Sequence, residues 1–161
     1  MLSVRCYQPG DRQAVRDLHN LALHDARAHG GNGPWDAGLR AIEPSYLDEG
    51  AELLVGTVNQ RVVAMGALRR VSLERAAITR MRVHPAFQRR GFGRCMLHEL
   101  ERTATRLGYR SLALDTTVEQ TAAQALYRAE GYRETGRGTL GRFEVIYFAK
   151  TNGRDLQDDT D

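Results

Sequence analysis

The sequence predicts an α/β fold in which a mixed sheet carries helices on both faces. The main observation is the predicted order of its elements, which is strand, one or more helices, three strands, helix, strand, helix and two strands. The chain has 161 residues, of which 42% are hydrophobic. This length is typical of one domain with a sizeable core. Residues 1–150 are therefore predicted to form a single domain.

The first elements are a short strand and an amphipathic helix. Weak alternation of polar and apolar residues predicts the strand over 3–7. Asp11 is a suitable N-cap, and Val15 and Leu18 follow at helical spacing. The helix is expected to fade near Ala28.

Residues 30–50 are the least informative part of the chain. They contain a glycine-rich stretch, the single tryptophan Trp35 and a possible short helix from Pro44. Trp35 and Tyr46 suit a lid over a substrate, and they suit ordinary packing equally well.

Three strands are predicted next, over 52–58, 61–71 and 76–83. Asn59 and Gln60 separate the first two, so they form a candidate hairpin turn, although it lacks the glycine that such turns favour. The remaining elements are a helix over 93–107, a strand over 111–116, a helix over 120–130, and strands over 132–135 and 142–148.

Glycines mark the ends of these later elements. Gly108 and Gly131 follow the two helices as C-terminal caps. The last two strands are predicted to join through a turn that contains Gly136, Gly138 and Gly141.

Composition predicts a cytoplasmic protein whose cysteines are reduced. It has only two cysteines, and no apolar segment approaches the length of a membrane span. The net charge is +3, and four aspartates after Arg154 leave residues 1–154 at +7. Residues 151–161 are thus an acidic tail that we expect to be disordered. Aromatic and basic residues do not alternate, which argues against a nucleic-acid-binding surface.

The segment 83–94, Val-His-Pro-Ala-Phe-Gln-Arg-Arg-Gly-Phe-Gly-Arg, is the most informative motif. It places two glycines where an apolar segment ends and a helix begins. The unpaired N–H groups and positive dipole of a helix start suit a phosphate, and Arg89, Arg90 and Arg94 strengthen that prediction.

Two other phosphate-binding loops are less consistent with this segment. A P-loop requires a lysine, and none is present here. A dinucleotide-binding loop requires a third glycine where Met96 stands, and a shorter distance from Val83 to Gly91. Asp115 nevertheless lies near the position of a ribose-binding acid, so the residues alone leave this alternative open.

The same residues resemble the GNAT superfamily of acetyl-CoA-dependent N-acetyltransferases. Gln88-Arg89-Arg90-Gly91-Phe92-Gly93 is similar to that family's Gln/Arg-x-x-Gly-x-Gly/Ala loop, and Met81–Pro85 is similar to the strand before it. Ala-Leu-Tyr-Arg-Ala-Glu-Gly, at residues 125–131, resembles its Leu-Tyr-x-x-x-Gly signature. Gln120 stands where many members carry asparagine.

The resemblance implies a mostly antiparallel, six- to seven-stranded sheet with a central splay that receives acetyl-CoA. It implies that backbone groups of the loop cradle the pyrophosphate and that Met81 and Val83 pair with the pantetheine arm. Arg80 and Arg82 suit either this site or a solvated strand face. The cofactor-binding residues that it implies are Met81, Arg82, Val83, Gln88, Arg89, Arg90, Gly91, Phe92, Gly93, Arg94, Gln120 and Tyr127.

Two residues are candidates for proton transfer. The resemblance implies that Tyr127 protonates the departing thiolate, whereas its helical spacing alone suits core packing. Asp115 is the first choice of general base, although it also suits a cap before the following helix. Glu119, Glu74 and Glu52 are alternative bases.

The implied reaction is acetyl transfer to a primary amine of a small molecule or peptide. Glu144 and the acids within 43–52 favour a cationic acceptor. The rival class is a non-catalytic module that binds acyl-CoA, and a homodimer through the last strands is possible. His19, His24 and His29 are five residues apart, a spacing that spreads them around a helix, so no metal site is predicted.

Overall fold

The computed structural model describes residues 1–25 and 51–151. Trp35, Tyr46, the possible helix from Pro44 and the tail after Thr151 lie outside the described residues. The described strands are β1 (Ser3–Cys6), β2 (Glu52–Val58), β3 (Arg61–Arg70), β4 (Arg75–Val83), β5 (Ser111–Thr117), β6 (Arg133–Leu140) and β7 (Phe143–Thr151). The described helices of more than one turn are α1 (Arg12–Asp25), α2 (Phe92–Arg106) and α3 (Thr121–Ala129).

These strands form one seven-stranded sheet in the order β1-β2-β3-β4-β5-β7-β6. Every neighbouring pair is antiparallel except β4 and β5, which are parallel. The crossover through α2 makes this parallel pair possible, since parallel strands need a long connection. The predicted fold class is confirmed.

The sheet buries an apolar cluster on each face. One cluster packs α2 and α3 against the sheet through Leu97, Leu100, Tyr127 and Phe148. The other packs α1 through residues such as Val15 and includes apolar side chains of β2 and β3. Side chains alternate between the two faces along each strand. We call the face that packs against α2 and α3 the α2/α3 face, and the face that packs against α1 the α1 face.

The hairpin between β2 and β3 turns at the predicted residues. Val58 pairs with Arg61, and the intervening Asn59 and Gln60 have φ angles of 50° and 68°. Two consecutive positive φ angles are typical of the type I′ turn, whose twist matches that of the strands. The turn forms without glycine because asparagine tolerates the left-handed region.

The last hairpin differs from its prediction. Gly136 and Gly138 lie inside β6, and only Gly141, with φ 61°, belongs to the turn. Tyr147 on β7 explains Gly138, because a Cβ atom there would lie 3.0 Å from the tyrosine hydroxyl oxygen. The glycine thus makes room for a cross-strand ring, a contact that local turn propensity does not reveal.

Within the described residues, no helix is both long and apolar enough to cross a membrane. The same part of the chain contains no group of three or more histidine, cysteine, aspartate or glutamate side chains arranged to hold a metal ion.

Asp11 ties the first strand to the start of α1. Arg5 donates two hydrogen bonds to its carboxylate, at 2.7 and 2.9 Å, and the Gln8 backbone N–H donates a third at 2.9 Å. The hydrogen bonds from Arg5 are the main reason why the pKa of Asp11 is lowered. The carboxylate therefore stabilises the fold above its unfolded-state pKa of ~3.9, and this contribution is lost as pH falls through the lower folded-state value.

We expect Asp11→Asn to lower the free energy of unfolding at pH 7 by about 1–3 kcal/mol, because it replaces a buried, charged acceptor of three hydrogen bonds with a neutral one. Urea unfolding at several pH values measures this. The difference from the wild type is expected to shrink below pH ~4. Asp17→Asn, on the exposed surface of α1, is the matched control and should change stability by less than about 0.5 kcal/mol. An Asp11→Asn cost that is equal at every pH would contradict this account.

Candidate active site

The parallel strands β4 and β5 separate after a short contact. Their paired residues are Arg75 with Ser111, Ala76 with Leu112, and Ala77 with Ala113. Beyond this point β4 continues to Val83 and β5 to Thr117 without pairing to each other. The two open edges enclose a wedge in the middle of the sheet, which we call the splay.

A bulge in β4 lies at the splay. Met65 pairs with Arg82 and Ala67 with Thr79, so one residue of β3, Gly66, faces two of β4. Arg80, one of these two, has a φ of 57°, a strained value for a non-glycine residue. Bulges of this kind bend a strand and increase its twist, which accounts for the departure of β4 from β5.

Gly66 lets α2 approach the sheet closely beneath the bulge. A Cβ atom on Gly66 would lie 2.7 Å from Leu100 Cδ1 and 3.2 Å from Met81 Sδ. Leu100 is fully buried, so little space exists into which it can turn. The packing therefore places α2 and the bulged part of β4 in direct contact.

Backbone groups of β4 face the splay. The His84 N–H donates to the Val63 carbonyl on β3 at 2.8 Å. Because backbone groups of successive strand residues point to opposite edges, those of Val83 face away from β3, toward β5. The Val83 carbonyl accepts a bond from Gln88 Nε2 at 3.4 Å, which links the strand to the loop that follows.

The glycine loop presents a helix start with open N–H groups. Arg89 and Gly91 both have left-handed φ angles, of 64° and 81°, and α2 begins at Phe92. The Cys95 N–H donates to the Gly91 carbonyl at 3.0 Å, so the N–H groups of the four preceding residues have no partner inside the helix. The loop therefore has the open helix start that the sequence motif predicts, a geometry that suits an anion.

The arginines of the loop are exposed, and Arg90 and Arg94 contact other side chains in the described part of the chain. The Arg90 guanidinium lies 5.1 Å from the centre of the Phe87 ring, and Arg94 Nε lies 3.1 Å from a carboxylate oxygen of Glu130. Arg94 is thus held toward the end of α3.

Tyr127 lies on α3 against the splay. Its side chain is only 5% exposed and packs edge-on against Tyr132 and beside Phe148. Burial raises the pKa of Tyr127 to about 12, while Arg82 opposes the rise and Asp115 adds to it. The phenol therefore stays protonated throughout the neutral range and is able to donate.

Asp115 approaches the splay from the other face of the sheet. It lies on β5 opposite Tyr147, and alternation with Leu114 places both on the α1 face. The carboxylate keeps access to solvent, yet desolvation by the surrounding protein raises its pKa, and this effect exceeds the opposing influence of Arg82, Arg69 and Arg80. A protonated donor and a candidate base thus reach the splay from opposite faces.

The other candidate residues are distributed around this centre. Gln120 precedes α3, and its side-chain oxygen accepts a hydrogen bond from Thr116 Oγ1 at 3.2 Å. Glu74 lies before the start of β4, at the far end from the bulge, where it forms an ion pair with Arg110 at 3.8 Å. Glu52 begins β2, two strands away from β4. Glu119 lies just after the end of β5, so it remains an alternative base.

Sequence reasoning missed three residues that the fold brings to this region. Arg69 and Tyr147 join Asp115 through strand pairing, which depends on register between distant segments. Alternation along each predicted strand gives their face, but only the register reveals their neighbours. Glu130 holds Arg94 and His98, and its sequence signal was its place at the end of the Tyr127 helix.

Comparisons with known proteins agree with this architecture. The model of the acetyltransferase (GNAT) family matches residues 13–132. The chain is 32% identical over 99 residues to a ribosomal protein bS18-alanine N-acetyltransferase of Escherichia coli, a match that covers 62% of each chain. It is 36% identical over 68 residues, or 42% of each chain, to an aminoglycoside N(6')-acetyltransferase of Salmonella typhimurium.

Solved structures share the fold at low sequence identity. An acetyltransferase of the GNAT family from Staphylococcus aureus superposes with a TM-score of 0.86 at 17% identity, over 95% of this chain and 100% of the other. A Salmonella typhimurium protein solved with its cofactor acetyl-CoA superposes with a TM-score of 0.75 at 19% identity, over 95% of each chain. The splay and the glycine loop described above therefore belong to a fold in which acetyl-CoA has been observed.

Proposed function

This chain belongs to the GNAT acetyltransferase family, and we propose that it is an N-acetyltransferase that moves an acetyl group from acetyl-CoA to a primary amine by direct attack in a ternary complex. The observation that carries the proposal is the splay, which has an anion-binding helix start at one end and Tyr127 and Asp115 on its two faces. Acetyl-CoA, when bound, supplies an acetyl thioester.

The residues present suit this donor. Open N–H groups at Gly91–Arg94 match a pyrophosphate, and the left-handed Gly91 lets the backbone approach it closely. The edge of β4 at Met81 and Val83 pairs with no strand on the side of the splay, and it matches the amide groups of the pantetheine arm, as in the addition of a strand to a sheet. The Met81 and Val83 carbonyls accept hydrogen bonds from the Arg82 and Gln88 side chains, which the arm would share or replace. Arg82, Gln88, Arg89, Arg90, Phe92, Gly93, Arg94 and Gln120 complete the proposed binding region.

Proton transfer is assigned to two residues. Asp115 accepts a proton from the acceptor's ammonium group, directly or through water, which frees the amine to attack the thioester carbonyl. Its raised pKa brings Asp115 closer to the neutral range in which a base works best. Tyr127 donates a proton to the departing thiolate, since its pKa of about 12 keeps it protonated. Because the two groups stand on opposite faces of the sheet, each can serve one end of the reaction. The second proton, which the nitrogen loses as the tetrahedral adduct collapses to the amide, passes through solvent and restores the Tyr127 phenol.

The relatives do not point to a single acceptor. One is named for the alanine of a ribosomal protein and another for an aminoglycoside. The chain matches only 62% and 42% of the lengths of these relatives, so the acceptor is proposed only as a primary amine.

The decisive experiment combines two measurements. Calorimetry is expected to show saturable binding of acetyl-CoA, and release of free thiol is expected to require an amine from a broad panel. Gly91→Val should weaken binding by roughly 10-fold or more, because a β-branched residue at φ 81° strains the loop. Gly10→Val is the control, because a Cβ atom added at Gly10 would meet no heavy atom within 4 Å and the backbone there has no positive φ.

Binding with no turnover on any amine would favour the rival class, a non-catalytic module that binds acyl-CoA. Absence of binding would remove the donor and with it the proposed reaction.

A further inference from the structure

The α1 face of the sheet has a floor of small side chains beside the splay. Ala77 pairs with Ala113, and Ala113 with Ala149, so three alanines lie side by side across β4, β5 and β7. Arg69 pairs with Ala77 at one end of this row, and Arg133 pairs with Ala149 at the other. The row of alanines is thus flanked by an arginine at each end.

Asp115 and Tyr147 form the next row on the same face, two residue pairs closer to the end of β5. Tyr147 is 40% exposed, and its ring leans over Gly138 on β6. The proposed base thus stands directly beside the alanine floor.

Within residues 1–25 and 51–151, positive charge outweighs negative charge around that base. Arg82, Arg69 and Arg80 all act electrostatically on Asp115. Glu144, which the sequence suggested as a feature attractive to cations, alternates with Val145 and Tyr147, so it lies on the opposite face of β7. Among the described residues, Asp115 is therefore the acid that faces this cluster of arginines.

Part of the hydrogen-bonding capacity here is unused. Arg80 Nε is shielded from solvent and has no hydrogen-bond partner within the described ranges, and the same is true of Thr117 Oγ1 on β5. A buried donor without a partner is costly, and a ligand that accepts its hydrogen bond recovers that cost. The strained backbone of Arg80 adds to this cost, which is typical of residues held in place for binding.

We propose that the acceptor is an amine that carries a carboxylate close to its amino group, as a free α-amino acid does. This inference rests on the proposed function and adds the substrate class. Arg80 and Arg69 bind the carboxylate, the alanine floor accommodates the small body of the molecule, and Asp115 receives the proton of the ammonium group. A polycationic acceptor meets repulsion from the same arginines.

The first test is binding, which does not depend on turnover. The protein saturated with coenzyme A is titrated with the standard L-α-amino acids that have primary amines, and with their α-carboxamides, which keep the amine but lack the negative charge. We expect the best acid to bind roughly 10- to 10²-fold more tightly than its amide, the range for hydrogen bonds between charged groups. Equal binding of acid and amide, or tighter binding of an aminoglycoside, would overturn the inference.

The second test removes the guanidinium groups singly. Arg69→Gln and Arg80→Gln should each reduce the preference for acid over amide by roughly 10-fold, with the Kd of acetyl-CoA unchanged. Arg102→Gln, on an exposed part of α2, is the matched control and should change neither value. A weaker Kd for acetyl-CoA in both test variants, with the acid preference intact, would assign these arginines to the cofactor phosphates and overturn the inference.

The two proposals fail in different ways. Acetylation of amines without any preference for the acid rejects the substrate class and leaves the acetyltransferase intact. Selective binding of the acid without thiol release on any amine supports the anion site and rejects the reaction.

Discussion

Tyr127→Phe is expected to lower kcat by roughly 10²- to 10⁴-fold, the range for loss of a general acid. The hydroxyl forms no hydrogen bond within the described part of the chain, so its removal leaves no partner unsatisfied. The ring, which packs against Tyr132 and Phe148, is retained. The Kd of acetyl-CoA and the free energy of unfolding should therefore stay close to the wild-type values. Steady-state thiol release, calorimetry and urea unfolding measure the three quantities.

Tyr109→Phe is the matched control. Tyr109 belongs to the same apolar cluster, but its hydroxyl accepts a hydrogen bond from Arg70 Nε at 3.0 Å, at the other end of the sheet. This variant should lose a little stability and keep its turnover. If kcat is unchanged in Tyr127→Phe, core packing is the whole role of Tyr127.

The contrast between Tyr127 and the glycine loop shows what local sequence signals reveal. The loop was predictable because every feature of it is local: an apolar strand, a proline turn, two glycines and a helix start lie within 83–94. The role of Tyr127 is ambiguous from local sequence, because core packing and proton donation are both compatible with its position on the helix. The structure shows that it is both a core residue and a neighbour of the splay.

Features that depend on distant segments were not predictable from the residues alone. The splay arises because β4 leaves β5 after Ala77, and the bulge at Arg80 involves Gly66 on another strand. Nothing local to Arg80 indicates a positive φ, because arginine rarely adopts one. The family resemblance predicts the splay. The cluster of Arg69, Arg80 and Arg82 around Asp115 becomes visible only when the pairing register of the strands is known.

The hairpin of β6 and β7 also shows that local sequence signals do not reveal contacts between strands. Local propensity placed Gly136 and Gly138 in a turn, yet cross-strand packing draws them into β6. Tyr147 occupies the space that a side chain on Gly138 would fill. Glycine in a strand is favoured where a neighbour approaches closely, and that neighbour lies in the next strand of the hairpin.

Asp115→Asn is expected to lower kcat/KM by roughly 10²- to 10⁴-fold, because the amide keeps the size of the side chain but cannot accept the proton. The pH dependence gives a sharper test. Desolvation raises the pKa of Asp115, so the wild-type rate should rise as this carboxyl loses its proton, at a pH above the ordinary aspartate value of ~3.9. The variant should lack that limb and keep only the limb due to deprotonation of the amine.

Variants of two other acids show whether the effect of Asp115→Asn comes from loss of a base or only from loss of a negative charge. Glu74→Gln, at the far end of β4 and paired with Arg110, is the remote control and should leave the pH profile unchanged. Glu119→Gln tests the alternative base just beyond the end of β5. Loss of the acidic limb in Glu119→Gln, with the limb intact in Asp115→Asn, would transfer the role of base to Glu119. Asp115 would then serve only to orient the ammonium group, because its charge lies among three arginines that otherwise repel the ammonium group.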